Sequence, residues 1–389
     1  MLTKNIKIKN FLSKTNSKIQ TKKILSCFKN LIASDNEILN SMKKNYKDCY
    51  KRKLISNFKK KNNINLIGMG GSALGAKAIY NFLGSSNKKI NFIDNFSNSL
   101  SERNNKKCLN LIISKSGNTI ETISNLNIFI NKNKNNIFLT EDKPSYLIEL
   151  AKKLKAEIVH HNNFIGGRYS VLSEVGMLPA ELMGYKVEKF RRLNSLIKNK
   201  QFINSLIHNV LNILNLTKNN KTNSIFLNYD DKSNDLFNWY QQLVAESLGK
   251  KNKGIMPIVS VMPKDNHSLM QYYLDGLKNN FYTLFFVKEK NSKRINNKQV
   301  LKSHHFLKNK SLNDIAFSQF CATEKVFKKK KIAFRSFVIE KRNEETLGEL
   351  FTFFILETIL LGMAMKVNPF DQPAVELIKT ETVNFLKKT

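Results

Sequence analysis

In INLIGMG a short apolar run ends at Leu66 to Gly68, and Ala73 to Leu83 follow with helical spacing, so a strand, a glycine-rich turn and a helix succeed one another. The unit recurs. KINFID (Lys89 to Asp94), LNLIISKSG (Leu109 to Gly117), NNIFLTED (Asn135 to Asp142) and AEIVHH (Ala156 to His161) read as strands, with helical patterns at Glu121 to Ile130 and Ser145 to Leu154 between the last three. After a strandless amphipathic stretch from Arg191 to Lys218, the alternation restarts with SIFLNY (Ser224 to Tyr229), the helix DLFNWYQQLVAESLGK (Asp235 to Lys250) and IMPIVSVM (Ile255 to Met262). A helix from about Ser268, then FYTLFFV (Phe281 to Val287) and IAFRSFVIE (Ile332 to Glu340), complete it. Strands alternating with helices predict parallel, doubly wound sheets. The expected fold class is α/β: two doubly wound parallel-sheet domains at 61–190 and 221–343, joined by a helical connection at 191–220. A helical N-terminal segment (1–60) and C-terminal helices (344–389) flank them, the latter broken at Pro369 with Pro373 at a helix N1 position.

Composition narrows the class. With 389 residues, 41% apolar and 24% charged, the chain has enough material for a packed core, which excludes a disulfide scaffold and a mainly disordered state. Cys27, Cys49, Cys108 and Cys321 form no CxxC pair and no histidines stand at zinc-ligand spacing, so the cysteines read as reduced thiols of a cytoplasmic protein. Met1 to Lys14 alternates Lys and Asn with single apolar residues and lacks the apolar core of a secretory signal. The longest apolar stretch, Leu350 to Val367, carries Glu357 and Lys366 and reads as a buried helix, so no membrane partner is expected. Lys plus Arg number 65 against 30 acids, a net +35 that invites a nucleic-acid reading. Lysines, however, occur in nearly every block beside turn asparagines, and the aromatics stay in apolar runs. This is a general surface bias: no nucleic-acid face is expected, and anionic small substrates are favoured electrostatically.

Two short motifs and four single residues carry chemistry. GMGGSALG (Gly68 to Gly75) hands a strand to a helix, where backbone N–H groups bind phosphate. On this segment alone a dinucleotide, a sugar phosphate and a structural turn all remain open, since Gly68, Gly70 and Ala73 also fit GxGxxG/A with Asp94 ending the next strand. SKSGNTIET decides against the dinucleotide: Ser114, Ser116 and Thr119 hydroxyls, the Lys115 charge and free N–H groups make a cup for a phosphate monoester, although a capping turn at Thr119 would look similar. Glu246 lies off the apolar stripe of its helix, where a solvated pair with Lys250 is the plain alternative. His267 opens a helix after PKDN, and Arg168 and Lys379 are two among many cations.

Together, in order, GMGGSALG, SKSGNTIET, GGRYSVLSEVG (Gly166 to Gly176), QLVAESLGK (Gln242 to Lys250), KDNHS (Lys264 to Ser268) and FDQPAVELIK (Phe370 to Lys379) resemble the glucose-6-phosphate isomerase family, built from two sugar-isomerase (SIS) domains. The resemblance implies Glu246 as the base moving a proton between C2 and C1, Arg168 as stabiliser of the cis-enediolate, and His267 with Lys379 as the ring-opening pair. It implies Ser72, Ser114, Lys115, Ser116 and Thr119 as phosphate ligands and Gly71 and Gln372 at the sugar. It further implies a homodimer in which His267 crosses the interface, and neither metal nor organic cofactor. The chemistry fits, because an aldose–ketose shift needs one carboxylate to move a carbon-bound proton and a cation over the developing oxyanion. A dual phosphoglucose/phosphomannose isomerase and a non-catalytic sugar-phosphate-binding regulator are the alternatives. Pro373, Ala374 and Ile378 depart from the family's usual residues, which predicts a reshaped sugar end.

Overall fold

A computed structural model describes residues 1–11, 18–84, 86–96, 108–130 and 135–388; the end of the Met1 to Lys14 stretch lies outside these. In chain order the strands are β1 (Ile6–Lys9), β2 (Asn63–Ile67), β3 (Lys89–Ile93), β4 (Leu109–Ile113), β5 (Asn136–Thr140), β6 (Glu157–His160), β7 (Asn223–Asn228), β8 (Met256–Val261), β9 (Asn280–Val287) and β10 (Phe334–Ile339). The helices that matter for the site are α1 (Gly71–Leu83), α2 (Ile120–Phe129), α3 (Glu174–Leu182), α4 (Lys200–Lys218), α5 (Asn234–Leu248), α6 (Glu344–Met365) and α7 (Val375–Leu386).

The strands form two five-stranded sheets, ordered β3-β2-β4-β5-β6 and β1-β10-β9-β7-β8. The first is wholly parallel. Its central strands LNLII and NIFLT are buried at every position, as expected where helices cover both faces. Such runs lack the alternation that normally fixes strand register. Here a row of amides runs through the paired positions instead: Asn91 donates to Asn65 (3.5 Å), Asn65 to Asn110 (2.9 Å) and Asn110 to Asn136 (2.9 Å). The second sheet repeats the device once, with Asn223 donating to Asn280 at 2.9 Å.

One edge departs from the sequence expectation. The N-terminal segment is not helical throughout: β1 pairs antiparallel with β10 and closes the second sheet. Its IKIK pattern buries Ile6 and leaves the lysines exposed, where Lys7 meets Glu340 at 2.7 Å. The pairing joins segments far apart in the chain, so the short IKIK alternation does not by itself reveal its partner.

Helix α6 is buried along Thr346 to Gly362, in keeping with a mostly apolar sequence that carries Glu349 and Glu357 inside. It is long and apolar enough to cross a membrane, but almost all of it lies inside the fold. It ends at Met365, and Ala374 caps the next helix, so Pro373 precedes the cap instead of filling N1. At the core Arg335, fully buried, donates two bonds to Glu357 (2.5 and 2.9 Å) and one to Thr283 (3.0 Å), its guanidinium lying beside Phe11, Phe337 and Phe353. Removing one partner strands the other charge in a medium that solvates it poorly. Glu357→Ala is accordingly expected to cost about 3–5 kcal/mol, and a Glu357→Leu, Arg335→Met pair much less, measured as shifts in urea midpoint.

Candidate active site

The helix after β2 of the first sheet, α1, lies against α5, the helix after β7 of the second. The turn between β2 and α1 must approach its neighbours closely. Gly70 has φ 51°, and a Cβ there would stand 2.8 Å from Gln242 Nε2; a Cβ on Gly71 would stand 2.2 Å from the Gly167 carbonyl carbon. These glycines let the first turn, the GGRYS loop and α5 converge on one point.

On one side of that point lies the cup between β4 and α2. Ser114 is buried and its hydroxyl pairs with that of Thr119 at 2.9 Å. Thr119 is the N-cap of α2, yet its side chain makes no capping bond there, so the plain capping turn does not form among the described residues. Gly117 has φ 67°, and a Cβ there would also stand 2.3 Å from Ser145 Oγ, so glycine fits on both counts. Ser116 Oγ accepts the Asn118 N–H (3.3 Å), and Lys115 pairs with Glu141 at 3.3 Å across the cup's rim. Ser72 sits in the first turn of α1, opposite.

On the other side Arg168, itself buried, organises the centre. Its Nε donates to Ser247 (2.8 Å), Nη1 to Glu246 (3.2 Å) and to Gln372, and Nη2 to the carbonyls of Pro369 (2.7 Å) and Asp371 (3.0 Å). Glu246 keeps 28% of its side chain open to solvent and accepts a second bond from Gln242 (2.8 Å). A carboxylate held between a cation and an amide, with one open side, is arranged to take a proton from a bound molecule. The solvated Glu246–Lys250 pair does not form, because Lys250 turns away to Asp371 at 2.7 Å.

Gln242 was not singled out in the sequence. Its Oε1 is buried without a partner while its Nε2 holds Glu246, one turn along the same helix face. The i,i+4 spacing to the carboxylate was the available signal.

His267 and Lys379 are not brought to this centre within one chain. His267 follows a short 3-10 turn after the edge strand β8, with the next helix opening only at Met270, so it does not itself start a helix. Its ring is exposed. Asp265 shapes this turn, accepting from Ser260 (2.9 Å), Val261 N (2.7 Å) and Ser268 (2.9 Å); burial works against its charge, but these bonds hold the carboxyl below the usual range. Lys379 lies on α7, paired only with Glu376 at 2.6 Å among the described residues, and no residue of that helix is buried.

Comparison with known proteins identifies the family. Residues 13–262 match the phosphoglucose isomerase family. A glucose-6-phosphate isomerase of Mycoplasmopsis pulmonis is 33% identical over 86% of this chain and 85% of its own. One of Methanocaldococcus jannaschii is 30% identical over 81% and 82%. A Chlamydia trachomatis glucose-6-phosphate isomerase structure superposes with a TM-score of 0.69 at 18% identity, covering 98% of this chain and 81% of that one, which supports the shared fold. The chain belongs to the phosphoglucose isomerase family.

Proposed function

We propose that this protein interconverts glucose 6-phosphate and fructose 6-phosphate by ring opening and proton transfer through a cis-enediolate. The observation that carries the reading is the Arg168 guanidinium, which spans Glu246 and Gln372 beside a hydroxyl-lined, uncapped helix start. The phosphate binds among Ser72, Ser114, Lys115, Ser116 and Thr119, where hydroxyls, one ammonium and helix N–H groups match its oxygens. Gly71 and Gln372 face the sugar. Once the ring is open, Glu246 removes the C2 proton and returns it at C1, and Arg168 stabilises the charge that develops on the oxygens in between. His267 and Lys379 handle the ring oxygen. Their exposure in the single chain supports a homodimer in which each site receives His267 of the partner subunit. The free cysteines and the buried α6 support a cytoplasmic protein acting in sugar-phosphate metabolism.

The deciding assay follows fructose 6-phosphate formed from glucose 6-phosphate and, in parallel, from mannose 6-phosphate. Formation from glucose 6-phosphate alone supports the reading; formation from both marks a dual isomerase; binding without exchange of the C2 hydrogen marks a silent regulator. For the cup, Ser114→Ala with Thr119→Ala should weaken binding by roughly 1.5 to 3 kcal/mol per charge-assisted bond lost, with a smaller change in kcat, read by calorimetry and steady-state kinetics. Undiminished affinity would remove the phosphate from this turn.

A further inference from the structure

We infer that Lys250 is a positioning residue, its ammonium fixing the turn that delivers Gln372 to Arg168 and from which the Lys379 helix departs; this rests on the function proposed above. After Met365 the chain turns through Lys366 in the left-handed conformation (φ 58°, ψ 42°) and has no regular element until α7. The turn is shaped by side chains: Asn368 Oδ1 accepts the Phe370 N–H at 3.1 Å, and Asn368 Nδ2 donates to Asp371 Oδ2 at 2.9 Å. Its carbonyls point inward and need donors. Pro369 O receives Arg168 and Tyr169 (2.7 and 2.9 Å); Asn368 O receives Lys250; Asp371 O receives both cations.

Lys250 thus directs its three donors at three acceptors of one turn, the third being Asp371 Oδ1 at 2.7 Å. Its side chain is only 12% exposed although Asp371 is 52% exposed, and the hydrogen bond from Lys250 holds the Asp371 carboxyl below its usual range. The division of labour follows from Arg168. That guanidinium already serves Glu246, Ser247 and Gln372, and in the reaction it faces developing negative charge, so a second cation is needed to keep the turn still while Arg168 responds to substrate. The two anchors come from opposite halves, Arg168 from the loop before α3 and Lys250 from just past the Gly249 cap that ends the Glu246 helix. Beyond the turn no residue of α7 is buried, so the root is where that helix is held among the described residues.

The test compares wild type, Lys250→Met, Lys250→Arg and Asp371→Asn as full-length protein. Hydrogen exchange of the 368–372 turn should quicken at least about fivefold in Lys250→Met, with α5 unchanged. The kcat on glucose 6-phosphate should fall at least about tenfold, and turnover of an aldose phosphate with no hydroxyl able to close a ring, which needs the turn's Gln372 but not Lys379, should fall less. Lys250→Arg should recover most of the cyclic-substrate rate, and Asp371→Asn, altering an exposed partner, should repeat the pattern in milder form. Unchanged exchange at the turn, or equal losses on cyclic and acyclic substrates, overturns the assignment. Failure of the functional reading is separate: wild type would then turn over neither sugar, while the exchange comparison would still report on Lys250.

Discussion

Glu246→Gln is expected to lower kcat for glucose 6-phosphate isomerisation by about 10² to 10⁴, with little change in substrate affinity. The amide keeps the length and an acceptor for Arg168 Nη1 and leaves the buried Arg168 with its Ser247, Gln372 and carbonyl partners, so the site stays assembled. What it loses is the ability to take a proton from carbon. The loss should therefore appear equally in kcat and in exchange of the C2 hydrogen with solvent, while binding measured by calorimetry is preserved. A defect confined to KM would move the base elsewhere and leave Glu246 as a partner that orients Arg168.

The second large effect concerns the shared site. If Glu246 and His267 of one site come from different subunits, Glu246→Gln and His267→Ala chains unfolded and refolded together should regain activity. Random assembly makes about half of the dimers mixed, and in each mixed dimer one site collects both defects and the other neither. Activity should then approach roughly a quarter of wild type, well above either mutant alone. If both residues serve from one chain, every site keeps a defect and mixing achieves nothing. Because sugar rings also open spontaneously, the comparison is with the average of the unmixed mutants, with mixed dimers confirmed by mass. The exposed His267 ring and the unburied α7 are the surfaces that such a dimer would use.

The sequence exposed the architecture where the physics is local. Alternating strand and helix periods marked both sheets, and glycine-rich handovers marked the two turns that flank the cup, because each signal lies within a few residues. Arg168, Glu246 and Gln372 had no local signature: a buried arginine among many lysines looks like any other cation, and only the ordered series of motifs lifted it out. β1 was missed because its partner lies at the far end of the chain. Lys250 shows the same limit. Its i,i+4 spacing to Glu246 suggested a pair on one helix face, but a rigid turn offering three acceptors outcompetes one solvated carboxylate already held by Arg168 and Gln242.

The row of amides through the first sheet bears on how such a sequence can evolve. An asparagine-rich chain could treat its asparagines as interchangeable surface filler, yet Asn110 and Asn136 are buried and each rung is matched to the next as donor to acceptor. Changing Asn110 alone to leucine takes that partner from the Asn65 amide nitrogen and from the Asn136 amide oxygen at once. Each rung is thus entrenched by its neighbours. A change to apolar residues along this row must pass through less stable intermediates or alter several strands together, so the amides are held as a group.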